Sequence, residues 1–275
     1  MFISQENYTS HKDTQEHKKF IEWFIGFVEG DAFGGYVRKS HSMKIMFVIH
    51  QKHPKVLHKI KKHLGFGRVT GPFVNEKNKG IYFQYAVSKQ EHVRELIQIF
   101  NGRFVLKKTK KRFEEYLKIY NSLQLIQQTS SSIDFQDNLI LPTLQDGWLS
   151  GFLDAEGRFS GTVQKDWFKI SISVSLVQKE EKELFEYLKS MLGGSLSFVE
   201  ESSGNISCLK IESIADRERL MTYLDEYKLK SEKYISFCRF KKIHVRLTDG
   251  KFSCRMTRPK AQKRLVRLIK NINII

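Results

Sequence analysis

Apolar side chains recur at helix and strand spacings along most of the chain, and one succession of patterns comes twice. Phe20, Trp23, Phe24, Phe27 and Val28 fall three or four residues apart, the signature of one buried helix face. Asp13 followed by Glu16 reads as the capping box that opens this helix. Gly34-Gly35 ends the pattern, and two strand-like runs follow at 36–40 and 43–50. Pro54 suits a first helical turn, Val56, Leu57, Ile60 and Leu64 form the next buried stripe, and Gly65 stops it. Strands are expected near 66–73 and 81–88, joined by a Lys/Asn-rich turn at 75–80. Helices are expected at 93–100 and, after a basic segment, at 112–123.

Residues 122–143 are polar, contain Ser130-Ser131-Ser132 and close on Pro142, so they read as a linker. Thr143 with Asp146 then resembles a second N-cap, and the order of elements returns. The run from Lys169 to Ser175 alternates with period two. Leu184, Phe185, Leu188 and Leu192 repeat the earlier stripe, and Gly193-Gly194 stops it. Strands near 195–201 and 205–211 precede helices near 216–226 and 232–243. This predicts an α+β protein of two pseudo-symmetric αββαββα repeats: an extension at 1–17, repeats at 18–121 and 144–275, and the linker between them. Beyond 246, Arg264, Arg267 and Lys270 oppose Leu265, Val266 and Ile269, which fits a packed basic helix better than a second active site.

The recurrence is tightest at Phe24-Ile25-Gly26-Phe27-Val28-Glu29-Gly30-Asp31-Ala32 and Leu149-Ser150-Gly151-Phe152-Leu153-Asp154-Ala155-Glu156-Gly157. Trp23 and Trp148, Gly26 and Gly151, and Asp31 and Glu156 all keep an offset of 125 (148 − 23, 151 − 26, 156 − 31). In each copy two small residues lie four apart, Gly26 with Gly30 and Gly151 with Ala155, and so share a helix face where another backbone can come close. Each copy then ends on acids at the negative end of a helix dipole, a locally unfavourable place for them. If the helices pair, Asp31 and Glu156 meet; two such charges about 5 Å apart repel by roughly 3 kcal/mol at an effective dielectric near 20. A divalent cation would reverse that sign. Solvated acids ending two core helices would explain one copy; two copies in register favour a shared site.

These paired stretches resemble the double signature of single-chain LAGLIDADG homing endonucleases, over about residues 18 to 245. One departure is Ala32, where the motif usually ends in Gly. The resemblance implies two antiparallel β-saddles for DNA with the motif helices at the interface of the halves. It implies Asp31 and Glu156 as metal ligands, with the main-chain carbonyls of Gly30 and Ala155 as further ligands. Glu29 and Asp154, the motif's other acids, are expected to cap helices instead. Gln51 and Gln178, each followed by Lys and offset by 127 (178 − 51), match a polar position that holds solvent near the cut phosphate. Lys107 and Lys230, offset by 123 (230 − 107), match a lysine that points into the active site, with Lys110 and Lys233 as competitors. The implied cofactor is Mg²⁺, with Mn²⁺ as a replacement and Ca²⁺ as a non-cleaving substitute.

Charge strengthens this picture. The 275 residues carry a formal net charge of +17, which favours a polyanionic partner over mere solubility. The 47 Lys and Arg are spread along the chain rather than gathered in a tail, which suits a folded binding surface. With Ile170, Ile172 and Val174 turned inward, Lys169, Ser171 and Ser173 face the other way. Arg158, Ser160, Thr162 and Gln164 belong on the matching face of the preceding strand. Tyr36, Arg38, Ser40 and Lys44 are the counterparts in the first repeat, with Arg68, Lys77 and Lys79 close by in sequence order. Side chains of these kinds read base edges in a major groove, while lysines hold phosphates. The alternative is a merely solvated antiparallel face.

The expectation is therefore a monomeric, site-specific, metal-dependent endonuclease that cuts both strands of an asymmetric duplex DNA and is encoded in an intron or a similar element. An intron RNA maturase and a catalytically dead DNA-binding regulator are the rivals on the same scaffold. Gly80-Ile81-Tyr82 is discounted as half of another nuclease signature, and the histidines at 50, 53, 58 and 63 as a metal site. Cys208, Cys238 and Cys254 form no disulfide or zinc pattern, and a reducing, intracellular setting is the default. No run reaches 18 apolar residues, so no membrane is expected. The abundance of Lys, Ile, Phe and Asn points to an AT-rich, organellar gene.

Overall fold

The computed structural model describes residues 15–31, 33–39, 43–76, 79–127, 131–163, 170–202, 204–249 and 259–273. Two compact units share them, Met1–Ala155 and Glu156–Ile275. The first unit runs α1 (Gln15–Gly30), β1 (Gly35–Lys39), β2 (Met43–Gln51), α2 (Pro54–Leu64), β3 (Arg68–Val74), β4 (Ile81–Val87), α3 (Gln90–Phe100), α4 (Lys107–Gln127) and α5 (Trp148–Glu156). Only the last residue of α5 belongs to the second unit. That unit continues with β5 (Arg158–Val163), β6 (Ile170–Lys179), α6 (Lys182–Leu192), β7 (Ser195–Glu201), β8 (Gly204–Ile211), α7 (Ile214–Glu226), α8 (Lys233–Thr248) and α9 (Pro259–Lys270). The expected order αββαββα is met twice, its closing helix being a pair in each copy.

Both sheets are antiparallel and share one topology, β1-β2-β4-β3 and β5-β6-β8-β7. In β2 the residues Ile45, Phe47 and Ile49 are buried, and β6 does the same with Ile172, Val174 and Leu176. Helices cover that face. In the first unit Phe33 touches the rings of Phe47, Phe100, Phe104, Phe113 and Tyr116, which joins α3, α4 and the sheet. Each such buried ring contributes about 1.5–3 kcal/mol by leaving water. In the second unit Phe159 of β5 packs on Phe237 and Phe240 of α8.

Local signals hold at several ends. Helix α2 starts on Pro54 and stops at Gly65, whose φ of 81° is a left-handed cap that costs glycine little. Asp146 takes both the N–H and the hydroxyl of Thr143 and, through its other oxygen, the N–H of Trp148. The cap read at Thr143 thus works through the Asp146 carboxylate. Asp13, half of the first expected capping box, lies outside the described residues, as does Ala32.

One helix is longer than its hydrophobic pattern. Helix α4 begins at Lys107, five residues before the expected 112 (112 − 107). Its first turn reads Lys107-Lys108-Thr109-Lys110, positive charge at the positive end of the helix dipole. An acid from α1 makes that start tenable, as the site shows. Between α4 and α5 the polar stretch is pinned to the first unit. Asn121 exchanges two hydrogen bonds with the Ile133 backbone, and Asn101 holds Asp134 and Gln136.

Candidate active site

Helices α1 and α5 meet through their glycines. A Cβ on Gly26 would fall on the carbonyl oxygen of Trp148, and one on Gly151 would fall on that of Trp23. Gly147 faces Lys19 and Trp23, whereas Gly151 faces Trp23 and Phe27, so the two helices advance together and are parallel. Backbones this close have no room for any side chain.

Tryptophans and acids then lock the pair reciprocally. Trp23 Nε1 of α1 donates to Asp154 Oδ2 of α5 at 2.9 Å. Trp148 Nε1 of α5 donates to Glu29 Oε2 of α1 at 2.5 Å. Glu29 Oε1 also accepts the backbone N–H groups of Val105 and Leu106, at 2.8 and 2.7 Å, immediately before α4. Glu29 and Asp154 are 2% and 3% exposed, so water does not compete for these bonds. The expected capping role is thus specific: Glu29 caps a different helix from its own and neutralises the unfavourable charge of its lysine-rich start. The tryptophans were visible only as an offset; their acid partners lie 131 and 119 residues away, beyond any local signal.

Asp31 follows α1 directly, its N–H bonded to the Phe27 carbonyl at 3.0 Å, and its side chain is exposed. Gly30 closes α1 and Ala155 precedes Glu156 at the end of α5. Glu156 keeps contact with solvent, but the protein around it raises its carboxyl pKa, against the downward pull of the Lys233 charge. Of the competing lysines, Lys233, the first residue of α8, is the one whose charge acts on the Glu156 carboxyl. Lys230 lies in the segment just before α8, half-buried. In the first unit Lys107 is the exposed first residue of α4. Lys110 is held by Asp137 Oδ1 at 2.8 Å and the Asn138 carbonyl at 3.0 Å.

The strand register assigns faces. Gln51 pairs with Phe83 and Gln178 with Ser207, and both glutamines share the core-side parity of their strands. Tyr36 pairs with Met46 and Arg38 with Lys44 in the β1–β2 register; the side chains of Tyr36, Arg38 and Lys44 lie outside the described ones. Ser40, Lys77, Gln164 and Lys169 lie outside the described residues altogether. Lys79 is exposed in the β3–β4 turn at φ 56°, and Arg68 is exposed on the outer face of β3.

In the second unit the outer face is a hydroxyl ladder. Ser160 meets Ser173 at 2.9 Å and Thr162 meets Ser171 at 2.7 Å. Ser173 is buried there, while Arg158 and Thr162 stay exposed. Arg158, Ser175, Lys210 and Ser195 form one row across all four strands. The register also exposes members of the outer face that the sequence reading left out. His50, Gln84 and Thr70 line up in the first sheet, with Tyr82 and Phe73 beside them. Burial lowers the His50 pKa while its Gln84 hydrogen bond raises it. The parity of Tyr82 and Gln84 against buried Tyr85 and Val87 was the signal available for β4.

The family profile described as LAGLIDADG endonuclease matches residues 24–120 and 149–244. A relative from Neurospora crassa named "Probable intron-encoded endonuclease 4" is 30% identical over 257 residues, covering 90% of this chain. The chain spans only 44% of that relative's length. A solved structure of the LAGLIDADG homing endonuclease I-GzeII in complex with its DNA target superposes with TM-score 0.69 and 18% identity, covering 92% of this chain and 98% of that one. I-SmaMI, solved on an uncleaved DNA target in the presence of calcium ions, gives TM-score 0.68 at 18% identity, over 92% and 98% of the two chains.

Proposed function

The chain belongs to the LAGLIDADG endonuclease family, and from that premise we propose that it is a site-specific DNA endonuclease that hydrolyses both strands of one asymmetric duplex with a divalent cation. The observation that carries this reading is the parallel, reciprocally braced pair α1 and α5. Each helix runs five residues past its contact glycine to an acid, Asp31 after Gly26 and Glu156 after Gly151 (31 − 26 and 156 − 151).

The donor chemistry fits Mg²⁺. Asp31 and Glu156 offer carboxylate oxygens, and Gly30 and Ala155 offer main-chain carbonyls. Among the described residues no cluster of three or more His, Cys, Asp or Glu exists that would close around a metal. That suits an ion that keeps several waters and takes oxygen from its substrate's phosphate. When bound, it would polarise the phosphate and make a water nucleophilic.

The chain's own groups do the rest. Lys107 and one of Lys230 and Lys233 balance charge that develops on the phosphate. Gln51 and Gln178 hold solvent next to it. Arg38, Lys44, Arg68, Arg158 and Lys210 position the duplex, and the polar groups between them read base edges. Because the two outer faces differ in sequence, the target read is asymmetric.

The test is cleavage of a plasmid library of candidate insertion sites, with Mg²⁺ and with chelator. One site should be cut in Mg²⁺ alone, and Asp31→Asn or Glu156→Gln should abolish cutting while duplex binding persists. Cutting that survives both substitutions would remove the acids from the mechanism, and splicing assistance without any cutting would make the chain a maturase.

A further inference from the structure

The outer faces of the two sheets correspond row by row. In the first sheet Val48, Ala86 and Arg68 stand opposite one another across β2, β4 and β3. In the second, Ser175, Lys210 and Ser195 do so across β6, β8 and β7. The offsets between these rows are 127, 124 and 127 (175 − 48, 210 − 86, 195 − 68). The next row keeps all three, and matches His50, Gln84 and Thr70 with Val177, Cys208 and Ser197 (177 − 50, 208 − 84, 197 − 70). One row is built of hydrogen-bonding groups; its counterpart is led by apolar ones.

Beyond that row the second sheet stays apolar. Lys179, Ile206 and Val199 stand together, so Val177, Cys208, Ile206 and Val199 are contiguous on one face. The first sheet breaks at this level, its register shifting between Thr70 and Phe73. Parity fixes the side. Leu176, Ser207 and Leu209 are buried, so Val177, Ile206 and Cys208 point to the opposite, outer face. Phe198 belongs to the helix side, where Lys182 Nζ lies 5.2 Å from its ring. Val177 and Val199 are 44% and 50% exposed. Strand propensity favours Val and Ile in a strand, but it does not gather them on the wet face among Ser, Thr, Lys and Arg.

We propose that Val177, Cys208, Ile206 and Val199 form a methyl-reading patch that selects thymine in the duplex. This rests on the endonuclease reading, which assigns the outer face to DNA. The C5-methyl of thymine is the one methyl group among the base edges of the major groove. Against any other edge the patch would strip water from polar groups and offer no bond in return. Exposed Arg158 in the neighbouring row and exposed Lys179 within the patch favour a polyanion over an apolar protein surface. In the first sheet the equivalent row works by bonding instead. His50 is hydrogen-bonded to Gln84, whose amide matches an adenine edge. Part of the target's asymmetry thus comes from one row that carries opposite chemistry in the two repeats.

The test replaces each thymine of the cognate duplex in turn by deoxyuridine, which removes only the C5-methyl, and measures binding. At one or more positions the parent chain should lose about fourfold in affinity, the worth of one methyl leaving water. Val177→Ser combined with Val199→Ser should bind the thymine duplex more weakly and lose nothing further on the deoxyuridine one. Serine already stands on this face at Ser175 and Ser197, and thermal melts check that the variant folds. The scan on the parent chain needs no variant. A scan in which no thymine matters, or a loss that the serine variant keeps in full, overturns the proposal and leaves the endonuclease reading standing. A flat scan with self-association that the serine variant abolishes would give the patch to a second copy of the chain. A parent chain that binds no duplex at all overturns the endonuclease reading and this proposal together.

Discussion

Trp23 of α1 donates its indole N–H to Asp154 of α5 at 2.9 Å, and Trp148 of α5 returns the bond to Glu29 of α1. The braces are related by the same 125-residue offset as the motif itself. Each pairs an aromatic ring with a nearly sealed carboxylate, and a buried charge that loses a partner is costly. Glu29→Gln would set an amide N–H₂ against the Trp148 N–H or against two backbone N–H groups. It should destabilise the chain by about 2–4 kcal/mol in urea denaturation. It should also speed hydrogen exchange at 107–110, where α4 loses the acid that caps it. Exchange there at the parent rate would detach Glu29 from the start of α4.

The glycines at the crossing tolerate nothing larger. Alanine normally gains up to about 1 kcal/mol over glycine within a helix. At Gly26 and Gly151 the added methyl would land on a carbonyl oxygen of the facing backbone, which cannot swing aside as a side chain would. Overpacking commonly costs about 1–3 kcal/mol, and backbone contact belongs at the upper end. Gly26→Ala and Gly151→Ala should therefore each lower the melting temperature clearly. A neutral or raised Tm for either would mean the helices are not held this close.

What the sequence made legible follows from periodicity. The apolar stripes of α1, α2 and α6, the alternation of β2 and β6 and the doubled motif each place partners a few residues apart or at one constant offset. What it hid was set by distant partners. Helix α4 starts at Lys107, directly after two amides held by Glu29, which is 76 residues from Val105; no local pattern in Lys107-Lys108-Thr109-Lys110 announces a helix. The same holds for His50 opposite Gln84, which needs the β2–β4 register, and for Asn101 and Asn121, which hold a polar linker in place.

His244 predicts a stability change just below neutral pH. Its side chain is 3% exposed and packed between α8 and α7. Burial first, then the Arg217 charge, hold its pKa below the ordinary 6.5, against Glu218, whose carboxylate is 3.4 Å from Nε2. Between the folded and unfolded pKa values the unfolded chain binds more protons, so stability falls as the pH drops below about 6.5, by up to about 1.4 kcal/mol per pH unit from this group. Denaturation midpoints from pH 7.5 to 5.5 should fall in the parent chain and flatten in His244→Gln. A parent midpoint that rises on acidification would mean the imidazole is charged in the fold.

The resemblance pairs Lys107 with Lys230 at an offset of 123, but the closing helices start at Lys107 and Lys233, an offset of 126 (233 − 107) that lies next to the motif's own 125. Lys233 also acts on Glu156 through its charge, whereas Lys110, its counterpart under the other pairing, is bound to Asp137 and Asn138. A lysine that stabilises developing charge contributes about 10²-fold or more to the rate. Single-turnover cleavage should therefore fall about 100-fold in Lys107→Met and in Lys233→Met, with duplex binding kept, and much less in Lys230→Met or Lys110→Met. The reverse ranking within the second repeat would restore the pairing read from the sequence. It would also mean that the start of α8, unlike the start of α4, does not mark the catalytic position.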